Sequence, residues 1–376
     1  MMKKKILVRT STVASTLTVF CFEQIKRLSK KYDVHIITSP DSELKKFSNI
    51  KGVTVHTVEM QRHISPFKDL VSLYKITSLI KEIKPDIVHS ITPKAGLLSM
   101  FASKIVGVKY RIHTFTGLVW PTSFGLKRKL LVFTDKILCK CATHIIPESF
   151  SVKQTMQDGL ITKKELIILG NGGLRGVNTQ YYNINSDFSN YKDNRLKDFV
   201  YIFIGRLVGD KGVNELIESF NNISKYYNDV SLLLIGNRED NLDPLEDNTI
   251  SIIKNNPDII EIGQVADVRP YIAASNVLLL PSYREGMPNV VLESGAMGIP
   301  AIVSDIPSCR EIVANNETGI IVKVKNISDL EQAMIFAHNN PMLIQKFGDR
   351  MRQNVAKKYD SDFVYSSLEL FYEELR

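Results

Sequence analysis

The stretch VLLLPSYREGMPNVVLESGAMGIPAIVSD, Val277 to Asp305, decides the fold. Its apolar opening VLLLPS reads as a buried strand, and Tyr283 to Met287 as the turn that leaves it. Pro288 suits the first position of a helix, because a proline there lacks only an N–H that the helix cannot use. The helix runs through Val290, Val291 and Leu292 to about Met297, Gly298-Ile299-Pro300 ends it, and AIVSD is the next strand. A strand, a crossover helix and a second apolar strand make one unit of a parallel sheet.

The same rhythm extends in both directions. FVYIFIGRL, VSLLLIG, IIEIGQV and GIIVKV continue it in the second half. ILVRT, VHIIT, VTVHTV, IVHSIT, YRIHTFT, THIIPES and ELIILG do so in the first, with helical patterns such as PFKDLVSLYKITSLIKEIK between them. Runs that are apolar throughout, rather than alternating, belong to parallel strands covered on both faces. The polar stretch 176–198 interrupts the rhythm and reads as a linker. The expectation is an α/β protein of two doubly wound, Rossmann-like domains, 1–180 and 195–358. A last amphipathic helix, 360–376, packs back on the first domain through Phe363, Leu368, Leu370 and Phe371.

A chain of 376 residues with 44% hydrophobic and 23% charged residues has the composition of a globular protein with two cores. Four scattered cysteines make no disulfide framework and fit a reducing compartment. Cys139 and Cys141 lack the second half of a zinc site and read as core and helix surface. The lysine-rich start imitates a secretory signal, but Arg9 and several Ser and Thr break its apolar run. No segment reaches the roughly 18 apolar residues of a membrane span, so the expected location is cytoplasmic, at the inner face of the cell membrane. Charge is divided unevenly: residues 1–180 hold 29 Lys/Arg against 12 Asp/Glu, a net of +17, and residues 181–376 a net of −9. Basic clusters at Lys3-Lys4-Lys5 and Lys127-Arg128-Lys129, without a nucleic-acid motif, favour an anionic membrane surface or a phospholipid-like substrate over nucleic acid. In GLVWPTSFGLKRKLL, Leu118, Trp120 and the basic run are the expected membrane contact.

Two glutamates bracket the deciding stretch. Glu285 precedes the helix, and Glu293 lies about five residues in, about 7–8 Å along the axis at 1.5 Å per residue. They are too far apart to share one metal or one proton. Between them lies a helix N-terminus whose free N–H groups and dipole favour an anion. That arrangement fits an elongated ligand with hydroxyls at both ends and phosphate between; equally, Glu285 could cap the helix and Glu293 face solvent. Upstream, FIGRLVGDKGV sets Gly205 and Arg206 at a strand end and Lys211-Gly212 at a helix entry. There a planar guanidinium and an ammonium can meet one phosphate group.

The combination GRLVGDKGV followed by GQVADVRPYIAASNVLLLPSYREGMPNVVLESGAMGIPAIVSD resembles the retaining glycosyltransferases of family 4, of GT-B fold. The likeness covers the second domain almost entirely and the first more loosely, through KPDIVHS, YRIHTFTG and LGNGGLRGVNTQYY. It implies two Rossmann-like domains facing across a cleft. Gly205, Arg206 and Lys211 would bind the donor's diphosphate, and Glu293 the ribose hydroxyls. Glu285, with the backbone of Gly286, Met287, Pro288, Asn289 and Val290, would hold the transferred sugar, and Gln264-Val265 would face the nucleobase. His113, at a strand end in the first domain, would reach the reacting sugar, with Thr116 and Gly117 on the acceptor side; its alternative is a core histidine.

The implied reaction is transfer of a hexose or N-acetylhexosamine from a nucleotide sugar, UDP-linked, to a polyprenyl-diphosphate-linked saccharide, without metal or other cofactor. Two rival readings are a UDP-sugar 2-epimerase-like isomerase and a non-catalytic nucleotide-sugar-binding assembly partner. Asp360-Ser361-Asp362 imitates a metal motif but falls at the start of the last helix, where Asp and Ser are ordinary caps. One departure stands out: the first loop, RTSTVASTLT, has none of the glycines common in the family, which bears on the acceptor-side contacts.

Overall fold

The computed structural model describes residues 4–61, 63, 65–188, 193–239 and 243–375. Strands β1 (Ile6–Thr10), β2 (Asp33–Thr38), β3 (Val53–Thr57), β4 (Ile87–Ser90), β5 (Tyr110–Phe115) and β6 (His144–Pro147) form one parallel sheet in the order β3-β2-β1-β4-β5-β6. Strands β7 (Phe199–Ile204), β8 (Val230–Ile235), β9 (Ile259–Gly263), β10 (Val277–Leu280), β11 (Ala301–Ser304) and β12 (Gly319–Val322) form a second, in the order β12-β11-β10-β7-β8-β9. Each sheet thus has the doubly wound order 3-2-1-4-5-6, with its topological switch point between its first and fourth strands. The chain divides into two units, Met1–Arg175 with Phe363–Arg376, and Gly176–Asp362.

The central strands are apolar because both faces are covered. Every residue of β8 is buried, as are Phe199 to Phe203 of β7. The edge strand β3 has no fully buried residue: each is half-buried or exposed, as suits a strand open on one side.

ELIILG is not a seventh strand. It makes a single bridge, Leu166 to Ile145, and then turns away through Gly170, Gly172 and Gly173, all at positive φ. The polar stretch 176–198, of which residues 189–192 lie outside the described set, falls in the second unit, where Val177 bridges Asp360.

The last helix spans Ser361–Glu374. Val364, Leu368, Phe371, Tyr372 and Leu375 are buried, whereas Phe363 and Leu370 are exposed. The buried set recurs at intervals of three and four, so Phe363 and Leu370 fall off the stripe. Tyr372 meets an unusual partner. The Arg9 side chain is wholly buried and donates to Tyr372 Oη at 2.9 Å and to Cys21 Sγ at 3.2 Å. With that oxygen accepting from Arg9, its own proton goes to His89 Nδ1 at 2.5 Å, leaving His89 Nε2 to donate to Thr114 Oγ1 at 2.7 Å. Cys139 and Cys141 are both core residues.

Candidate active site

The second unit places its charged residues at the carboxyl ends of β7 and β10, the strands that flank its switch point. Glycines allow these loops to close on one another. Gly236, at φ +136°, lies so near Gly205 that an added Cβ would stand 1.8 Å from that carbonyl oxygen. Gly212, at φ +71°, is held against the end of β10, where a Cβ would meet Pro281 O at 2.1 Å. Neither position admits another residue without moving backbone.

Between them the short turn Gly209–Lys211 carries the lysine. Lys211 Nζ donates to Glu285 Oε1 at 2.7 Å, with both side chains more than four-fifths buried. The two residues that the sequence set against different parts of a ligand are each other's partner here. Arg206 pairs with Glu239 at 2.8 Å and lies 3.7 Å from Asp210. Burial works against its charge, but Glu239, Asp210 and the nearby Glu285 outweigh that and raise its pKa.

Asp210, which the sequence reading missed, organises this corner. Its carboxylate accepts from Arg284 at 2.8 Å, its carbonyl accepts from Tyr283 N at 2.9 Å, and its N–H donates to Asp243 Oδ2 at 2.6 Å. Its place between Gly209 and Lys211 was a visible signal, while nothing in the sequence around Asp243 pointed to it.

The following helix spans Asn289–Ala296, with Pro288 at the N-cap rather than the first position. The reason is local: Pro288 ψ is 84°, outside the helical range, so the turn closes one residue later. No side chain caps this helix and no acidic residue lies in its first turn; Val291 N–H donates to Pro288 O at 3.0 Å, and the N–H groups before it face the turn. Glu293 is buried at the fifth helical position, not on the surface. Met287 and Pro288 are buried, and Gly286, Asn289 and Val290 half-buried. Gln264 and Val265 follow β9, two strands from β7, where Gln264 Oε1 accepts from Asn237 Nδ2 at 2.8 Å.

His113, Thr116 and Gly117 belong to the first unit. His113 is 1% exposed on β5, with Nδ1 2.8 Å from Ser90 Oγ and no hydrogen-bond partner at Nε2 among the described residues. Burial lowers its pKa to about 3, so the ring is neutral. Gly96 makes room for it, since a Cβ there would lie 2.4 Å from His113 Cε1. Thr116 Oγ1 donates to Ile91 O at 3.3 Å, and Gly117 has a φ of +107°.

One surface expectation is corrected. Trp120 is 4% exposed and does not face out. It lies in the turn Trp120–Thr122, with the Arg128 guanidinium 5.6 Å above its ring. Of the first basic cluster, Lys3 lies outside the described residues, and Lys4 and Lys5 donate to the carbonyls of Ser29 and Leu375. Asp360 accepts from Thr179 Oγ1 and from the Asp362 N–H, as a turn and cap residue does. Among the described residues no helix is long and apolar enough to cross a membrane.

Comparison with known proteins agrees with this geometry. Residues 186–358 match the family model "Glycosyl transferases group 1", and residues 11–149 match "Glycosyl transferase 4-like". The chain is 34% identical over 354 residues to the capsular polysaccharide biosynthesis glycosyltransferase CapM of Staphylococcus aureus, covering 93% of this chain and 92% of that one. It is 24% identical over 330 residues to a UDP-Gal:alpha-D-GlcNAc-diphosphoundecaprenol alpha-1,3-galactosyltransferase of Escherichia coli, covering 84% and 82%. Anabaena HepE, solved in complex with UDP, shares the fold at a TM-score of 0.81 and 15% identity, over 98% of this chain and 99% of that one. The chain belongs to the group 1, family 4-like glycosyltransferases, and its fold is GT-B.

Proposed function

We propose that this group 1 glycosyltransferase moves a hexose or N-acetylhexosamine from a UDP-sugar, with retention at the anomeric carbon, to a polyprenyl-diphosphate-linked saccharide in surface-polysaccharide assembly. The observation that carries the reading is the buried Lys211–Glu285 pair beside an uncapped helix start at the switch point of the second unit. The relatives support the class of reaction: one is named for capsule synthesis, and another for a UDP-sugar donor and a diphosphoundecaprenol acceptor.

In this reading the donor's diphosphate meets Lys211, Arg206 and the backbone N–H groups of Gly286, Met287, Asn289 and Val290. Lys211 exchanges Glu285 for a phosphate oxygen, which releases the Glu285 carboxylate to the hydroxyls of the transferred sugar. Glu293 takes the ribose hydroxyls, and the backbone at Gln264-Val265 faces the base. As the sugar–phosphate bond breaks, negative charge gathers on the departing diphosphate. Fixed cations and a helix terminus stabilise that charge without reorganising and without a metal. The departing phosphate oxygen takes the acceptor's proton on the same face, so no second carboxylate is needed as base. His113 contributes a neutral ring rather than a charge.

A screen of nucleotide sugars for UDP or GDP release, with polyprenyl-diphosphate saccharides as acceptors and with EDTA as a separate arm, tests each part. UDP release that depends on acceptor and ignores EDTA is expected. An epimer formed from a UDP-sugar without acceptor would overturn the transfer reading, and loss of turnover in EDTA would overturn the metal-free one.

A further inference from the structure

The first unit contains a partly open cavity of about 180 Å³, smaller than a drug-sized site of about 300–1,000 Å³ and of a size for one short apolar segment. It lies at the carboxyl end of β5, among the helices Pro66–Ile83, Pro93–Val106 and Gly125–Cys141. Leu97, Phe115, Leu118, Trp120, Leu130 and Leu131 give it apolar walls. Two polar features stand in it. Lys94 is paired with Asp69, so that corner is neutral overall. Burial pushes the Asp135 carboxyl up to about 7, against the pull of the neighbouring Trp120 indole.

The surroundings are both greasy and basic. The flanking helices expose Phe67, Leu70 and Tyr74 on one side, and Leu126 and Phe133 on the other. Phe124, just before the second of these helices, is 86% exposed. Lys127, Arg128 and Lys129 are exposed on the helix that supplies Leu130 and Leu131 to the wall. A mainly apolar hollow beside solvent-facing cations suits a molecule with a hydrocarbon tail and an anionic head.

We infer that this cavity holds the isoprenoid segment next to the diphosphate of a polyprenyl-diphosphate-linked acceptor. The inference rests on the acceptor class proposed above and gives it an address. Gly117, on the acceptor side by sequence, is itself part of the wall, so a chain seated here brings its diphosphate to the end of β5. The exposed basic residues then face the charged head, while the exposed aromatic and aliphatic side chains meet the lipid surface from which the chain rises. Trp120, which the sequence set against the membrane, is instead the wall that the isoprenoid touches.

Trp120 is the only tryptophan of the chain, so its fluorescence reads this cavity alone. The full chain is titrated with farnesyl diphosphate, with inorganic diphosphate, and with phosphatidylglycerol vesicles free of isoprenoid. The expected result is a saturable emission shift with farnesyl diphosphate that is at least tenfold weaker with either other probe. Leu131→Phe, which narrows the cavity, and Leu130→Gln, at its partly exposed wall, should each weaken the response about tenfold while circular dichroism stays unchanged. Equal responses to inorganic diphosphate or to the vesicles would overturn the inference, as would a response that both variants leave intact. The probe carries no sugar and the readout ignores the donor, so the outcome is separable from the transferase reading. A chain that binds farnesyl diphosphate yet transfers no sugar would sink that reading and keep this site.

Discussion

The two units share one strand order and build opposite things with it. At the switch point of the second unit, Gly212 and Gly236 let backbones close on Pro281 and Gly205, and Arg206, Lys211, Asp210 and Glu285 fill the space with paired charge. At the switch point of the first, the loop after β1 is Ser11-Thr12-Val13, and Thr12 Oγ1 lies 2.8 Å from Thr92 Oγ1 across the gap. That loop has no glycine, and its arginine, Arg9, is buried within the strand on Tyr372. The first unit keeps its open space elsewhere, in the apolar cavity after β5. Topology decides where loops converge, and loop chemistry decides what they can bind.

Four experiments break or sharpen that contrast. The largest effect is expected at Gly236, where Gly236→Val puts a branched side chain at φ +136° and into the Gly205 carbonyl. Denaturant unfolding should show a loss above about 3 kcal/mol in the second unit. Unchanged stability would mean that the two loops do not need this approach.

Next is Lys211→Ala, which strands a buried Glu285 and removes the cation nearest to it. Turnover with a nucleotide sugar should fall about 10²–10³-fold, the usual cost of one preorganised charge donor. A fall below about threefold would move the charge stabilisation to other residues.

Tyr372→Phe acts on the first unit. It removes the oxygen that serves both Arg9 and His89, and should cost about 1–3 kcal/mol by thermal or chemical unfolding. Calorimetric UDP affinity, which the proposed function assigns to the second unit, should not move; a change in it would break that proposed division of labour.

The last experiment reads a pH slope. Burial holds the folded pKa of His113 at about 3, below its ordinary 6.5, and His89 is lowered in the same direction, chiefly by burial. The unfolded chain therefore takes up these protons first. The stability of the neutral His113 ring is full above about pH 6.5 and is lost as pH falls toward 3, at about 1.4 kcal/mol per pH unit, and His89 acts in the same direction. Unfolding series from pH 6.5 to 4 should show His113→Gln with a shallower slope than the native chain. Parallel slopes would show that His113 is not held neutral.

Much of this was legible as pattern. The strand runs placed all twelve strands: the central ones because parallel strands covered on both faces are largely apolar, and the edge strand β3 through its Val and Thr. ELIILG misled for the same reason: apolar content does not reveal that the chain turns away after one bridge. On the last helix, Phe363 and Leu370 were chosen by hydrophobicity, whereas burial followed the stripe through Val364, Leu368 and Tyr372. In the deciding stretch, the strand, turn and helix around Glu285 and Glu293 were readable, since glycine, proline and apolar spacing act locally.

The sequence by itself determined the doubly wound class, the family and the loops that carry charge, because those depend on residue type and on short spacings along the chain. Only the tertiary structure decided which charges are partners. Lys211 and Glu285 stand 74 positions apart, and Arg9 and Tyr372 stand 363 apart, so neither pairing leaves a local signal. Trp120 belongs with them. An aromatic beside a basic run reads as surface, and only the three helices packed around it turn it into the wall of a cavity.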